Sequence, residues 1–152
     1  PSTKVWRASI YESNVDQRQM MALVYGTIDE SPTLVRVHTG TQLSDVFGLS
    51  HSPRTRMQDT LACIEKEGKG VVLFLPGRES LFEEFDRYAK KHSVSPPVSE
   101  TGGLHVLREF GLGAQVLSLL GLKHIRLITR KPRRIVGLEG YGLEIIEQIE
   151  IS

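Results

Sequence analysis

The stretch Glu67-Gly-Lys-Gly-Val-Val-Leu-Phe-Leu-Pro-Gly77 decides how this chain folds. Val71 to Leu75 is a continuous apolar run of the length of a strand covered on both faces, and Pro76-Gly77 closes it with turn chemistry. Upstream the period changes. Met57, Leu61 and Ile64 recur at i, i+4 and i+7, one face of a helix that Gly68 ends. Downstream, Leu81, Phe85 and Tyr88 or Ala89 form the next helical face. A buried strand set between two helical segments is the pattern of a crossover unit with parallel strands.

Working outward, residues 4–11 alternate apolar and polar side chains, as a half-buried strand does. Asn14-Val15-Asp16 supplies a turn, and Met20 to Ile28 reads as the hairpin partner. Pro32 precedes a third strand, Thr33 to His38, and Thr39 to Arg54 reads as a loop with the apolar island Val46 to Leu49. Ser93 to Gly103 is a long loop holding Pro96-Pro97 and Gly102-Gly103. Helical spacing returns at Val116, Leu119 and Leu120 until Gly121. Ile125 to Thr129 is a strand, Leu138 to Gly142 a turn, and Leu143 to Ile151 a final alternating strand. The expected fold is α/β, a mixed sheet with antiparallel N-terminal strands and later crossover helices. It forms one domain over residues 1–152, with no internal repeat or linker.

Composition narrows the function classes. The 152 residues are 39% hydrophobic and carry a net charge of +1, which excludes intrinsic disorder. No stretch approaches the roughly 18 apolar residues of a membrane helix. Cys63 is the sole cysteine, so neither a disulfide framework nor a multi-cysteine metal site is available, and a reducing, cytoplasmic setting is expected. Cys63 itself falls in a helical pattern and reads as a small hydrophobe. The start at Pro1 reads as a piece processed or excised from a longer chain. Tyr11, Phe74, Phe85 and Phe110 sit in core patterns and do not interleave with basic residues, so nucleic acid is not an expected partner.

Six stretches, in order, carry a family resemblance. They are Leu34-Val-Arg-Val-His38, Asp45-Val-Phe-Gly48, Glu67 to Leu75, Arg108-Glu-Phe-Gly-Leu-Gly-Ala-Gln-Val-Leu117, Ile125 to Thr129 with Pro132, and Gly137-Leu-Glu-Gly-Tyr-Gly-Leu-Glu144. Together they resemble the GTP cyclohydrolase II domain of riboflavin biosynthesis. Residues 4–28 resemble that domain where it is fused behind 3,4-dihydroxy-2-butanone 4-phosphate synthase. The resemblance implies a zinc hydrolase that opens the imidazole ring of GTP, releases formate and removes pyrophosphate, with three cysteines on the metal and a fourth position for water.

The cysteine positions fall here on Thr41, Ser52 and Arg54, none of them a zinc ligand. The family's Glu-Gly-Arg segment, which the resemblance assigns to nucleotide and Mg²⁺, becomes Pro76-Gly77-Arg78-Glu79-Ser80. The catalytic aspartate falls on Val106, which cannot transfer a proton. Other positions match. Arg108 stands at the family's nucleophilic arginine and Tyr88 at a tyrosine near the site. Thr129 and Arg134 stand at the threonine and lysine that contact GTP, and Arg36, Val37 and His38 keep the nucleotide-side strand. Arg130, Lys131, Arg133 and Arg134 cluster in sequence beside Thr129, so guanidinium forks could hold phosphate oxygens there, or the run is a solvated turn.

The expectation is therefore a degenerate domain holding neither zinc nor Mg²⁺. It acts as a structural or regulatory partner of a butanone-phosphate synthase domain, fused or associated, and the resemblance also implies a homodimer. Two alternatives stay open. One is an active cyclohydrolase with a metal site rearranged around His38 and His51; the other is a sensor of a purine nucleotide or a flavin-pathway product.

Overall fold

The computed structural model describes residues 5–40, 57–77, 80–93, 102–130 and 132–151, with backbone alone for 91–93 and 102–110. The strands are β1 Trp6–Glu12, β2 Gln19–Tyr25, β3 Thr33–Gly40, β4 Gly70–Pro76, β5 His124–Thr129 and β6 Glu144–Glu150. The helices are α1 Met57–Glu67, α2 Leu81–Ser93 and α3 Gly102–Leu119, with a 3₁₀ turn at Glu139–Tyr141 before β6.

The strands form one sheet in the order β1-β2-β4-β3-β5-β6. β1 pairs with β2 and β2 with β4, both antiparallel, while β4-β3, β3-β5 and β5-β6 are parallel. The expected mixed sheet is thus found, with one difference. The third strand does not extend the antiparallel hairpin, because β4 takes the place next to β2 and β3 belongs to the parallel half.

β4 is central for a physical reason. Val71, Val72, Leu73 and Leu75 are all buried, so both of its faces need cover. On one face Val71, Leu73 and Leu75 join Ala22, Val35 and Leu127 beneath Ala114 and Leu117 of α3. The approach is close: a Cβ added at Gly113 would lie 3.3 Å from Leu73 Cδ1. On the other face Val72, Leu34 and Ile128 pack around Ile64 of α1, with Trp6, Tyr25, Leu61 and Cys63 at the margin. Gly70 admits that helix, since a Cβ there would stand 2.6 Å from Ile64 Cγ2. Gly68, at φ +93°, ends α1 as its sequence position suggests.

Polar contacts fix the layers. Arg126 of β5 donates through Nη1 to Glu67 of α1 at 2.5 Å and through Nε to Glu147 of β6 at 2.7 Å. Lys69 bridges to Asp29 at 2.5 Å, which ties the β2–β3 connection to the start of β4. At the start of α2, Ser80 Oγ accepts the Glu83 N–H and Glu83 accepts the Ser80 N–H, a reciprocal capping box spelled out by Ser80-Leu-Phe-Glu83.

Three expectations about burial are corrected. Phe85 was assigned to a core pattern but is 58% exposed, with Phe82 at 77%, while Glu84 of the same helix is buried. Helical periodicity says which side chains share a face; it does not say which face is covered. Leu119, 75% exposed, likewise lies off the packed side of α3, and α3 begins at Gly102, well before the face at Val116. β1 is an edge strand with residues 7–10 exposed on both faces, because β2 is its only described neighbour. The side chain of Phe110 lies outside the described residues.

Two outcomes follow from this packing. Ile64→Ala should lower unfolding stability by about 2–5 kcal/mol, read as a shifted urea midpoint, because the fully buried side chain is the plug between α1 and the sheet. Lys69, then Ser31, hold the Asp29 carboxyl down at about 2. That contribution is complete above the usual carboxylate range and is lost as pH falls from about 4 through 2. An Asp29→Asn variant should therefore show a flatter acid limb in a stability–pH titration.

Candidate functional site

In open sheets with parallel strands, ligands bind beyond the carboxyl ends of those strands. Here that end is formed by the last residues of β3, β4 and β5. β3 carries Arg36, Val37 and His38 towards it, in register with Val72, Leu73 and Phe74 of β4.

Alternation along the strand separates these side chains. Arg36 shares the α1 face with Leu34 and donates through Nη1 to the Ile128 carbonyl of β5 at 3.1 Å. Its guanidinium is half-buried, and burial, with the nearby Arg130 charge added, lowers its pKa. His38 follows on that face and stacks on Phe74, with ring centroids 6.0 Å apart and planes at 20°. Val37 points the other way and packs against the α3-side core. The strand tips are linked, since the Gly77 N–H donates to the Gly40 carbonyl at 3.0 Å. Phe74 lies over Gly40 so closely that a Cβ there would stand 2.4 Å from Phe74 Cζ.

The basic run after β5 is described at Arg130, Arg133 and Arg134. Arg130 is near enough for its charge to act on Arg36. Arg133 is held elsewhere: its N–H donates to Gln148 Oε1 at 2.9 Å, and Gln148 Nε2 donates to its carbonyl at 2.6 Å. Ile135 then turns into the α3-side core and Arg134 is exposed between them. Thr129 ends β5, and its carbonyl accepts the Ile151 N–H at 3.1 Å.

The remaining positions are more distributed. Tyr88 is half-buried on α2. Arg108 and Val106 lie in the first half of α3, where the backbone alone is described. One turn beyond Arg108, Leu112 and Gln115 join Tyr11, Arg18 and Leu75 in lining an open groove between α3 and the β1–β2 hairpin. Thr41, Asp45, His51, Ser52, Arg54, Arg78 and Glu79 lie outside the described residues. Among the described residues no three His, Cys, Asp or Glu side chains converge as a metal site. Cys63 packs at the margin of the α1 cluster, and His38 is engaged with Phe74. Among the described residues the donor set a zinc ion needs is not assembled. The Arg36–Ile128 hydrogen bond between β3 and β5 was not visible in sequence, because it joins residues far apart in the chain.

Fold and site together define an α/β domain whose β3 carries Arg36 and His38 towards the carboxyl end of the parallel strands. Comparison with known proteins gives the class its family. A family model described as GTP cyclohydrolase II matches residues 1–150, and the chain belongs to that family. It is 38% identical over 155 residues to a riboflavin biosynthesis protein RibBA of Chlorobium phaeovibrioides, covering 97% of this chain. A RibBA of Bacillus cereus strain AH187 is 39% identical over 150 residues, covering 93%. The chain spans 38% of the length of both relatives. Among solved structures, RibBX, a two-domain 3,4-dihydroxy-2-butanone 4-phosphate synthase from A. baumannii, is similar in fold with a TM-score of 0.51 at 16% identity. The match covers the whole of this chain and 41% of that one. No helix among the described residues is long and apolar enough to cross a membrane.

The strand-tip link makes a direct prediction. Gly77→Ala would set a Cβ 2.6 Å from the Gly40 carbonyl oxygen. The variant should lose about 1–3 kcal/mol in urea unfolding, because backbone must move at the site's rim.

Proposed function

We propose that residues 1–152 form one GTP cyclohydrolase II-type domain that holds no zinc and does not open the ring of GTP. It serves as a structural or regulatory part of a riboflavin-biosynthesis protein, in company with a 3,4-dihydroxy-2-butanone 4-phosphate synthase domain. The observation that carries this reading is the donor set. Threonine, serine and arginine stand at positions 41, 52 and 54, where the family resemblance calls for thiolates. An arginine there puts positive charge where a divalent cation would sit.

Two further changes point the same way. Val106 has no proton to exchange at the position of the catalytic aspartate. Residues 76–80 read Pro-Gly-Arg-Glu-Ser, so the acidic and basic groups expected to hold nucleotide and Mg²⁺ are reordered. What remains is Arg108 and Tyr88, remnants of the catalytic set, together with Arg36, Val37, His38, Thr129 and Arg134, which the resemblance assigns to nucleotide binding. The synthase partner is supported by relatives more than twice this chain's length and by the two-domain synthase that shares its fold.

Elemental analysis and a formate-release assay on the purified protein test the reading together. The expected result is no stoichiometric zinc and no formate from GTP, with or without added zinc. Stoichiometric zinc accompanied by GTP-dependent formate would overturn it.

A further inference from the structure

The two edges of the sheet, β1 and β6, are built differently. β6 carries Glu144, Glu147 and Glu150, and its Gln148 side chain already holds the backbone at Arg133. Charged side chains and a covering segment are ordinary means of keeping an edge from pairing with another chain. β1 lacks both. It contains no proline or lysine, and its register with β2 runs without a bulge from Trp6 to Glu12. No strand among the described residues pairs with its outer side. Its one cation, Arg7, is turned inward, donating through Nη2 to the Gly26 carbonyl at 2.9 Å.

The hairpin fixes which backbone groups face outward. The Ser13 N–H donates to the Arg18 carbonyl one step beyond the Glu12–Gln19 pair. Antiparallel ladders alternate, so the odd-numbered residues of β1 direct their N–H and C=O groups to β2. Those of Trp6, Ala8, Ile10 and Glu12 point away from the sheet. Ala8 and Ile10 are also exposed through their apolar side chains, Ile10 by 64%. A free edge with outward backbone groups and apolar side chains is a template for a further strand.

We propose that β1 is the surface on which two copies of this chain associate, pairing antiparallel with β1 of a second copy about a twofold axis at Ser9. The two sheets then become one. Centred there, Trp6 faces Glu12 of the second copy and Ala8 faces Ile10, each pair exchanging backbone hydrogen bonds, while Arg7 faces Tyr11 and Ser9 its own equivalent. Every residue of the strand gains a partner, and no like charges are opposed. Centring the axis on Arg7 would set two guanidiniums face to face, and centring it on Ala8 or Ile10 would leave the strand ends unpaired. Such an interface uses the same patch twice and closes at the dimer. The family resemblance implies a homodimer and names no surface for it. The pairing holds whether or not ring opening has been lost, so its test is independent of the formate assay.

The test is sedimentation equilibrium of the purified protein, with oxidative cross-linking of single-cysteine variants in a Cys63→Ser background. The expected result is a reversible dimer. Ser9→Lys, a change at an exposed side chain, sets two ammonium groups together at the axis and should raise the dimer Kd roughly tenfold or more. Its urea midpoint should stay near that of the unchanged chain. Ala8→Pro removes only an outward N–H and should weaken the dimer as strongly, with circular dichroism checking the fold. Ser9→Cys should form an interchain disulfide, since residues facing each other at such an axis have Cα atoms about 4.5 Å apart. The proposal is wrong if the protein stays monomeric, if Ser9→Lys dimerises as tightly as the unchanged chain, or if Ala8→Cys cross-links and Ser9→Cys does not.

Discussion

The rest of this structure depends on a strand that tolerates water on neither side. Residues 71–75 place apolar side chains alternately above and below the sheet, so β4 must have covering layers on both faces and strands on both edges. That single requirement sets α1 and α3 on opposite faces and pulls β4 between the N-terminal hairpin and β3. It also fixes where chemistry can occur. The two faces are filled, which leaves the strand ends, and the parallel half brings the tips of β3, β4 and β5 to one end.

At that end, strand alternation governs what the charges can do together. Arg36 and Val37 are neighbours in sequence but belong to opposite faces, one beside Ile128 and the other in the α3-side core. The basic run behaves in the same way on a larger scale. The Gln148 side chain of β6 grips the backbone at Arg133, and Ile135 two residues on enters the α3-side core. Charge density along a sequence is therefore a poor measure of charge density in space.

The family relationship and the changed residues are compatible, because scaffold and chemistry draw on different parts of the chain. Membership rests on a match over residues 1–150, and the packed core supplies much of what such a match reflects. A metal site rests on a few donors in a connecting segment, which can be replaced with little effect on the buried strands. A retained fold is thus weak support for a retained reaction, and function has to be argued from the site itself.

Apolar periodicity was enough to place every strand and the helices at Met57 and Leu81, because burial writes a period of 2 or 3.6 directly into side-chain chemistry. Residue identity, set beside the family resemblance, was enough to show that thiolates are lacking at positions 41, 52 and 54. Sequence could not show that β3 lies beyond β4, that Phe85 faces outward, or that Arg36 donates to the Ile128 carbonyl of β5. Those outcomes depend on strand order, on which helix face meets the sheet, and on contacts between residues about ninety positions apart. The physical reason is that a periodic pattern fixes the directions of neighbouring side chains, and only the assembled layers fix what each direction meets.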